Sequence, residues 1–129
     1  MFVDTNILVR HLAGDPPDQA GRATRFLASA ETLLLPDLIV AELVYVLQSV
    51  YETARPDIAR AVRAVLAFEA IRVVDMDLLH RAIEVYEFDR LDFSEAYLVA
   101  CAERSGVDAV ASFDHSIDRI GTIRRVEPD

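Results

Sequence analysis

Apolar and polar positions change period repeatedly along this chain of 129 residues. Met1-Phe2-Val3 is a short apolar run ending on Asp4-Thr5-Asn6, after which Ile7, Leu8 and Leu12 recur at helical spacing. This predicts a strand that passes directly into a first helix. Gly14-Asp15-Pro16-Pro17 breaks that helix, with Asp15 as a candidate cap and Pro16 as a candidate first helical residue. A second helix is expected from Pro17 to Ala30, with Ala20, Ala23, Phe26 and Leu27 inward and Arg22 and Arg25 outside that stripe. Thr32-Leu33-Leu34-Leu35, ended by Pro36, reads as a buried strand. Asp37 is a plausible cap for a strongly apolar helix from Leu38 to Tyr51, and another helix is expected from Ile58 to Phe68. Ile71-Arg72-Val73-Val74 is a candidate strand, and Asp75 begins a helix through Glu87. A further helix opens at Leu91-Asp92-Phe93-Ser94-Glu95 and is stopped near Ser105 by Gly106. Ala109 to Ser112 is a strand leading to Asp114, and Thr122 to Val126 reads as a last edge strand guarded by its arginines. Strands alternate with helices and no repeat or linker interrupts them. That pattern predicts one α/β domain over residues 1–129, with a parallel sheet and helices on both faces.

Composition narrows the picture. Hydrophobic residues make up 53% of the chain, which suits a globular protein with a real core. No apolar run has the length of a membrane span, and the amino terminus shows no basic, apolar, small-residue signal pattern. With the single cysteine, Cys101, these features lead us to expect a cytoplasmic protein without a membrane partner. All thirteen basic side chains are arginine. The absence of lysine excludes a phosphate-binding loop of the GxxxxGK[ST] kind and Schiff-base chemistry, and disfavours a lysine-dependent aspartyl-phosphate site. The net charge of −9 argues at first against nucleic acid. It is also what results when carboxylates are gathered around a hard cation.

The acids stand at telling places. Asp4 and Asp114 each end a short apolar strand, so a parallel sheet would put both at its carboxyl edge, where α/β folds bind ligands. Glu42 interrupts an apolar helix, among Leu43, Val44, Val46 and Leu47. An unpaired buried charge is costly, which favours a functional role there. Asp92 and Glu95 open a later helix. Gathered carboxylates repel, and a divalent cation removes the repulsion. Oxygen-only ligands suit Mg2+, with Mn2+ as a substitute. Simpler roles compete: Asp4 or Thr5 as a helix cap, Asp92 with Glu95 as a capping box, and Asp114 and Asp118 as turn residues. Asp118 is expected to be a solvated surface acid. Thr5, Asn6 and Ser112 are candidates to orient carboxylates. His11, His80 and His115 have no metal-ligand spacing, Cys101 reads as an inert core residue, and the scattered aromatics offer no base-stacking platform.

In this order and spacing the motifs resemble those of PIN-domain ribonucleases, specifically VapC-type toxins of toxin–antitoxin pairs. The resemblance rests on Val3-Asp4-Thr5-Asn6-Ile7-Leu8, Asp15-Pro16-Pro17-Asp18-Gln19-Ala20, Val40-Ala41-Glu42-Leu43, Leu91-Asp92-Phe93-Ser94-Glu95-Ala96 and Ala111-Ser112-Phe113-Asp114. It implies a three-layer α/β/α sandwich around a central, mainly parallel sheet of four to five strands. It also implies a magnesium-dependent endoribonuclease, an RNA substrate, a cognate antitoxin and a homodimer. Asp4, Glu42, Glu95 and Asp114 would be the catalytic acids, and Asp4, Glu95 and Asp114, with Asp92 as a further candidate, the metal ligands. Glu95 stands where the family usually has aspartate, and Ser112 where threonine is common. Arg10, Arg22 and Arg25, with Arg60 and Arg63, are candidates to hold the RNA backbone. Two rivals belong to other classes: a non-catalytic binding module with the same fold, and a metal-dependent phosphatase or phosphoacceptor domain.

Overall fold

In the computed structural model, which describes residues 1–129, these periods resolve into six α-helices and four strands of two or three residues. Two compact units divide the chain, Met1–Val74 and Asp75–Asp129.

The first unit holds α1 (Thr5–Ala13), α2 (Pro17–Ser29), β1 (Leu33–Leu34), α3 (Asp37–Ser49), α4 (Arg55–Leu66) and β2 (Ile71–Arg72). β1 and β2 pair in parallel, Leu33 opposite Ile71 and Leu34 opposite Arg72. The amino-terminal residues pair with the other side of β1: Leu34 N–H donates to Met1 O at 2.8 Å, and Val3 N–H to Leu34 O at 3.1 Å. The expected first strand is therefore present as a short parallel ladder, which sets Asp4 at its carboxyl end. α1 stops at Gly14, whose φ of 70° is a left-handed conformation that glycine adopts without steric cost. Its N–H closes the last turn on Arg10 O at 3.0 Å. α2 begins with Pro17 as its first helical residue, Pro16 at the cap position and no side-chain cap, so Asp15 does not cap it. α3 likewise starts behind Pro36, with Asp37 inside its first turn rather than at its cap. Asp37 there complements the helix dipole. Leu8, Leu27, Leu33, Leu35, Val40, Leu43 and Ile58 are fully buried and form the core of this unit.

The second unit holds α5 (Met76–Glu84), a π-helical turn (Val85–Asp89), α6 (Phe93–Ser105), β3 (Ala109–Ala111), a 3-10 turn (His115–Arg119) and β4 (Arg124–Val126). Asp75 caps α5, its carboxylate accepting from Leu78 N–H at 3.1 Å. Gly106, at φ 77°, ends α6 as the sequence predicts. β3 and β4 pair in parallel from Ala109–Arg124 to Ala111–Val126. Leu79, Ile83, Tyr86, Leu91, Val99 and Ile117 are its buried residues.

The α/β class and the parallel pairing match the expectation. A continuous sheet of four to five strands is not what these hydrogen bonds form; they make short parallel ladders within each unit. The apolar runs are only a few residues long, and the helices supply most of the buried side chains.

Candidate functional site

Asp4 is both a cap and a candidate ligand. Its backbone is extended (φ −93°, ψ 157°), and Oδ1 accepts from Thr5 N–H at 2.8 Å. That contact fixes the carboxylate through one oxygen and leaves Oδ2 available. Thr5 is buried, at 4% exposure, and its Oγ1 has no hydrogen-bond partner. An orphaned buried hydroxyl is costly, so its position beside Asp4 marks polar space that a ligand or its hydration could use.

Glu42 lies in the second turn of α3 and is exposed, contrary to the burial expected of it. Leu43, Val44 and Leu47 take the inward face, while Glu42 and Tyr45 turn outward. Its functional case therefore rests on its neighbours. Glu42 and Asp4, with Thr5, Asn6 and Arg10, line a cavity of about 250 Å³. The donors offered there are carboxylate, amide and hydroxyl oxygens, with no histidine or cysteine. Such a set fits Mg2+ or Mn2+ and not zinc. Within neither unit do three or more acidic, histidine or cysteine side chains gather as a complete metal cage.

A larger cavity of about 780 Å³ adjoins it, since Asp4, Asn6 and Arg10 line both. Phe2, Phe26, Gln19 and Arg22 complete much of its wall. Phe2 and Phe26 thus line one cavity although they are far apart in sequence. Arg10 donates Nε to the neutral amide oxygen of Gln19 at 2.9 Å. Arg25 is exposed and lies outside this wall, and Arg60 pairs with Asp57 at 3.1 Å. His11 is held by Thr24 Oγ1 at 2.8 Å and packs edge-on to Phe68, and partial burial lowers its pKa. His80 is exposed on α5.

In the second unit, Asp92 occupies the cap position of α6, but its side chain makes no cap hydrogen bond. Glu95, half-buried in the first turn, accepts from Ser94 Oγ at 3.1 Å instead of reaching back to the cap. The capping box is not formed. Buried Leu91 and Phe93 anchor the helix start in its place. Cys101 is half-buried rather than a core residue.

Asp114 caps the 3-10 turn, its Oδ1 accepting from Ser116 N–H at 2.9 Å, while its own N–H donates to Ser112 Oγ at 2.9 Å. Ser112 Oγ thus closes a local turn on the Asp114 backbone. The hydrogen bond from Ser116 holds the Asp114 carboxyl below its ordinary pKa, helped by the charges of Arg119 and His115. Asp118 is not a merely solvated acid, because it accepts from Arg125 Nε at 3.0 Å. Arg125 is the residue that sequence reading missed. Only 9% of its side chain is exposed, and it also donates to Ser112 O at 2.9 Å and lies 3.1 Å from His115 Nδ1. Read as an edge-strand guard, it is instead the inward-alternating residue between exposed Arg124 and Val126. That period-2 position was the available signal.

The PIN domain family model matches residues 1–123. A VapC ribonuclease of Aquifex aeolicus (strain VF5) is 26% identical over 124 residues, covering 93% of this chain and 91% of that one. The crystal structure of Mycobacterium tuberculosis VapC20, a sarcin-ricin loop cleaving toxin, is 26% identical and covers 98% of each chain, with a TM-score of 0.41. No helix is long and apolar enough to cross a membrane.

Proposed function

The chain belongs to the PIN domain family, and from that premise we propose that it is a magnesium-dependent endoribonuclease, the toxin of a toxin–antitoxin pair. The observation that carries the reading is the meeting of Asp4 and Glu42 on one small cavity. The VapC ribonuclease relative supports RNA as the substrate, and an antitoxin is a proposed partner. Glu95 and Asp114 are proposed as further catalytic acids from their motifs alone. A second copy of the chain is a proposed partner.

Each residue then has a task. Asp4, fixed through Oδ1, would hold the cation with its remaining carboxylate oxygen, and Glu42 would add a carboxylate from α3. Thr5 and Asn6 offer polar atoms that orient water or phosphate. Arg10, on the wall of the same cavity, places positive charge where a phosphodiester oxygen would lie. Magnesium held by these acids would supply Lewis acidity toward water and the phosphate oxygens. The test is cleavage of single-stranded RNA by the full chain with Mg2+ or with EDTA. Cleavage is expected only with the metal, and Asp4→Asn is expected to abolish it. Undiminished cleavage in EDTA or by Asp4→Asn rejects the proposal. Hydrolysis of small phosphomonoesters but not RNA would assign a phosphatase instead.

A further inference from the structure

The cavity of about 780 Å³ beside Asp4 carries more than the cleavage reaction needs. Its size falls within the range of ligand pockets, roughly 300–1,000 Å³. Phe2 lies on its wall with 71% of its surface exposed, which leaves the ring accessible to a stacking partner. Phe26 supplies a second aromatic side chain to the same space. Arg22 is exposed on that wall, and Arg10 is engaged there by a neutral amide rather than a carboxylate. Asn6 and Gln19 add amides able to read the polar edge of a planar ring. Asp4, Asn6 and Arg10 are shared with the smaller acidic cavity.

We infer that this cavity is a subsite for one unstacked nucleobase of single-stranded RNA, the base of a nucleotide next to the phosphodiester presented to Asp4 and Glu42. The inference rests on the ribonuclease reading above and deepens it. Aromatic side chains stack bases, arginines hold the flanking phosphates, and the shared wall fixes the distance from base to scissile bond. The combination favours RNA over a protein segment: cationic side chains and stacking rings stand beside an acidic centre that a nucleotide's metal-bridged phosphate could approach. An acidic peptide would gain the arginines but would leave the amide edges and the link to Asp4 unused.

The experiment uses the full chain with Mg2+ and a short single-stranded RNA in which each position in turn is made abasic. We expect one position adjacent to the cut to raise KM roughly ten-fold, the order of magnitude of one lost base–aromatic stack. In Phe2→Ala, a change at an exposed side chain that threatens folding little, that abasic penalty is expected to shrink toward one-fold. Arg22→Gln is expected to weaken binding of intact and abasic RNA alike, leaving the penalty in place. If wild-type protein cleaves RNA but tolerates every abasic position equally, the subsite is overturned while the ribonuclease reading stands, and the cavity is left for a protein partner. An unchanged abasic penalty in Phe2→Ala also overturns it. Failure to cleave any RNA instead counts against the underlying reading.

Discussion

Asp92 and Glu95 open the same helix, and their local contacts separate their roles. Asp92 sits at the cap position without using its side chain, and Glu95 is held by the Ser94 hydroxyl rather than by the cap. Glutamine at position 95 can still accept from Ser94, so Glu95→Gln is expected to leave the melting temperature nearly unchanged. If Glu95 is the third acid, the same variant loses cleavage by on the order of 100-fold or more. Asp92→Asn is expected to remain active and folded. A dead Asp92→Asn beside an active Glu95→Gln would reverse the assignment. Such acids stand out in the sequence because a carboxylate at a strand end or first helical turn has a recognisable position. Glu42 was expected to be buried, but its apolar neighbours in sequence face the other side of α3, and the carboxylate is exposed. Arg125 was misread because its role depends on Ser112, Asp118 and His115, which reach it only through folding. Arg125→Ala removes that nearly buried clamp, and is expected to lower both thermal stability and cleavage. Loss of neither would show that the Asp114 loop holds itself.

At the scale of elements, helices and strands were both readable, and their bounds were less so. A nine- to thirteen-residue helix repeats its apolar period several times, whereas a strand such as Leu33–Leu34 was read from the short apolar run Thr32–Leu35 ended by Pro36, and pairs over fewer residues than that run. The π-helical turn after α5 left no sequence signal, and the expected single helix from Asp75 to Glu87 ends earlier, at Glu84. Caps make separable predictions. Asp4 caps α1 through Oδ1, so Asp4→Ala is expected to cost about 1 kcal/mol as well as activity, whereas Asp4→Asn should keep the cap and lose only cleavage. Paired denaturation and cleavage measurements distinguish the two. The α5–α6 pair adds a pH dependence. Asp75 caps α5 through Leu78 N–H and accepts from Arg104 Nε at 2.8 Å, while Glu103 accepts from Arg81 Nε at 2.8 Å. The Leu78 bond, then Arg104, hold Asp75 below its ordinary 3.8, and Arg81 holds Glu103 below its ordinary 4.5. Folded values below unfolded ones mean that this stability is present above those ordinary values. It is lost as pH falls through them toward the folded values. Thermal melts are expected to be flat near neutrality and to fall below about pH 4.5. A melting temperature unchanged down to pH 3 would remove these pairs as contributors.

For the whole molecule, the problem is how a chain of net charge −9 binds a polyanion. Long-range electrostatics oppose the encounter, so affinity must come from short-range features: a cation among the acids, and arginines whose charge is not spent on carboxylates. The first unit concentrates both, with Asp4 and Glu42 on one cavity and Arg10 and Arg22 on the cavity that adjoins it. Other arginines do different work; Arg60 and Arg81, for example, are engaged in ion pairs with Asp57, and with Glu84 and Glu103. RNA affinity should therefore depend on few charges, and its salt dependence should be shallow for a nucleic-acid-binding protein. Each phosphate contact on a single strand contributes a slope of roughly −0.7 in log affinity against log salt. Removing Arg22 as Arg22→Gln is expected to reduce the magnitude of the slope by about that amount, and Arg60→Gln to leave it unchanged. Fluorescence anisotropy with labelled single-stranded RNA and the cleavage-impaired Glu95→Gln variant as background, at fixed Mg2+, reads both. Replacing Mg2+ with EDTA in the same titration is expected to weaken binding at every salt concentration, because the carboxylates then face the phosphates unscreened. Affinity that is indifferent to the metal and to Arg22, but falls with Arg60→Gln, would place the RNA on a different face of the protein.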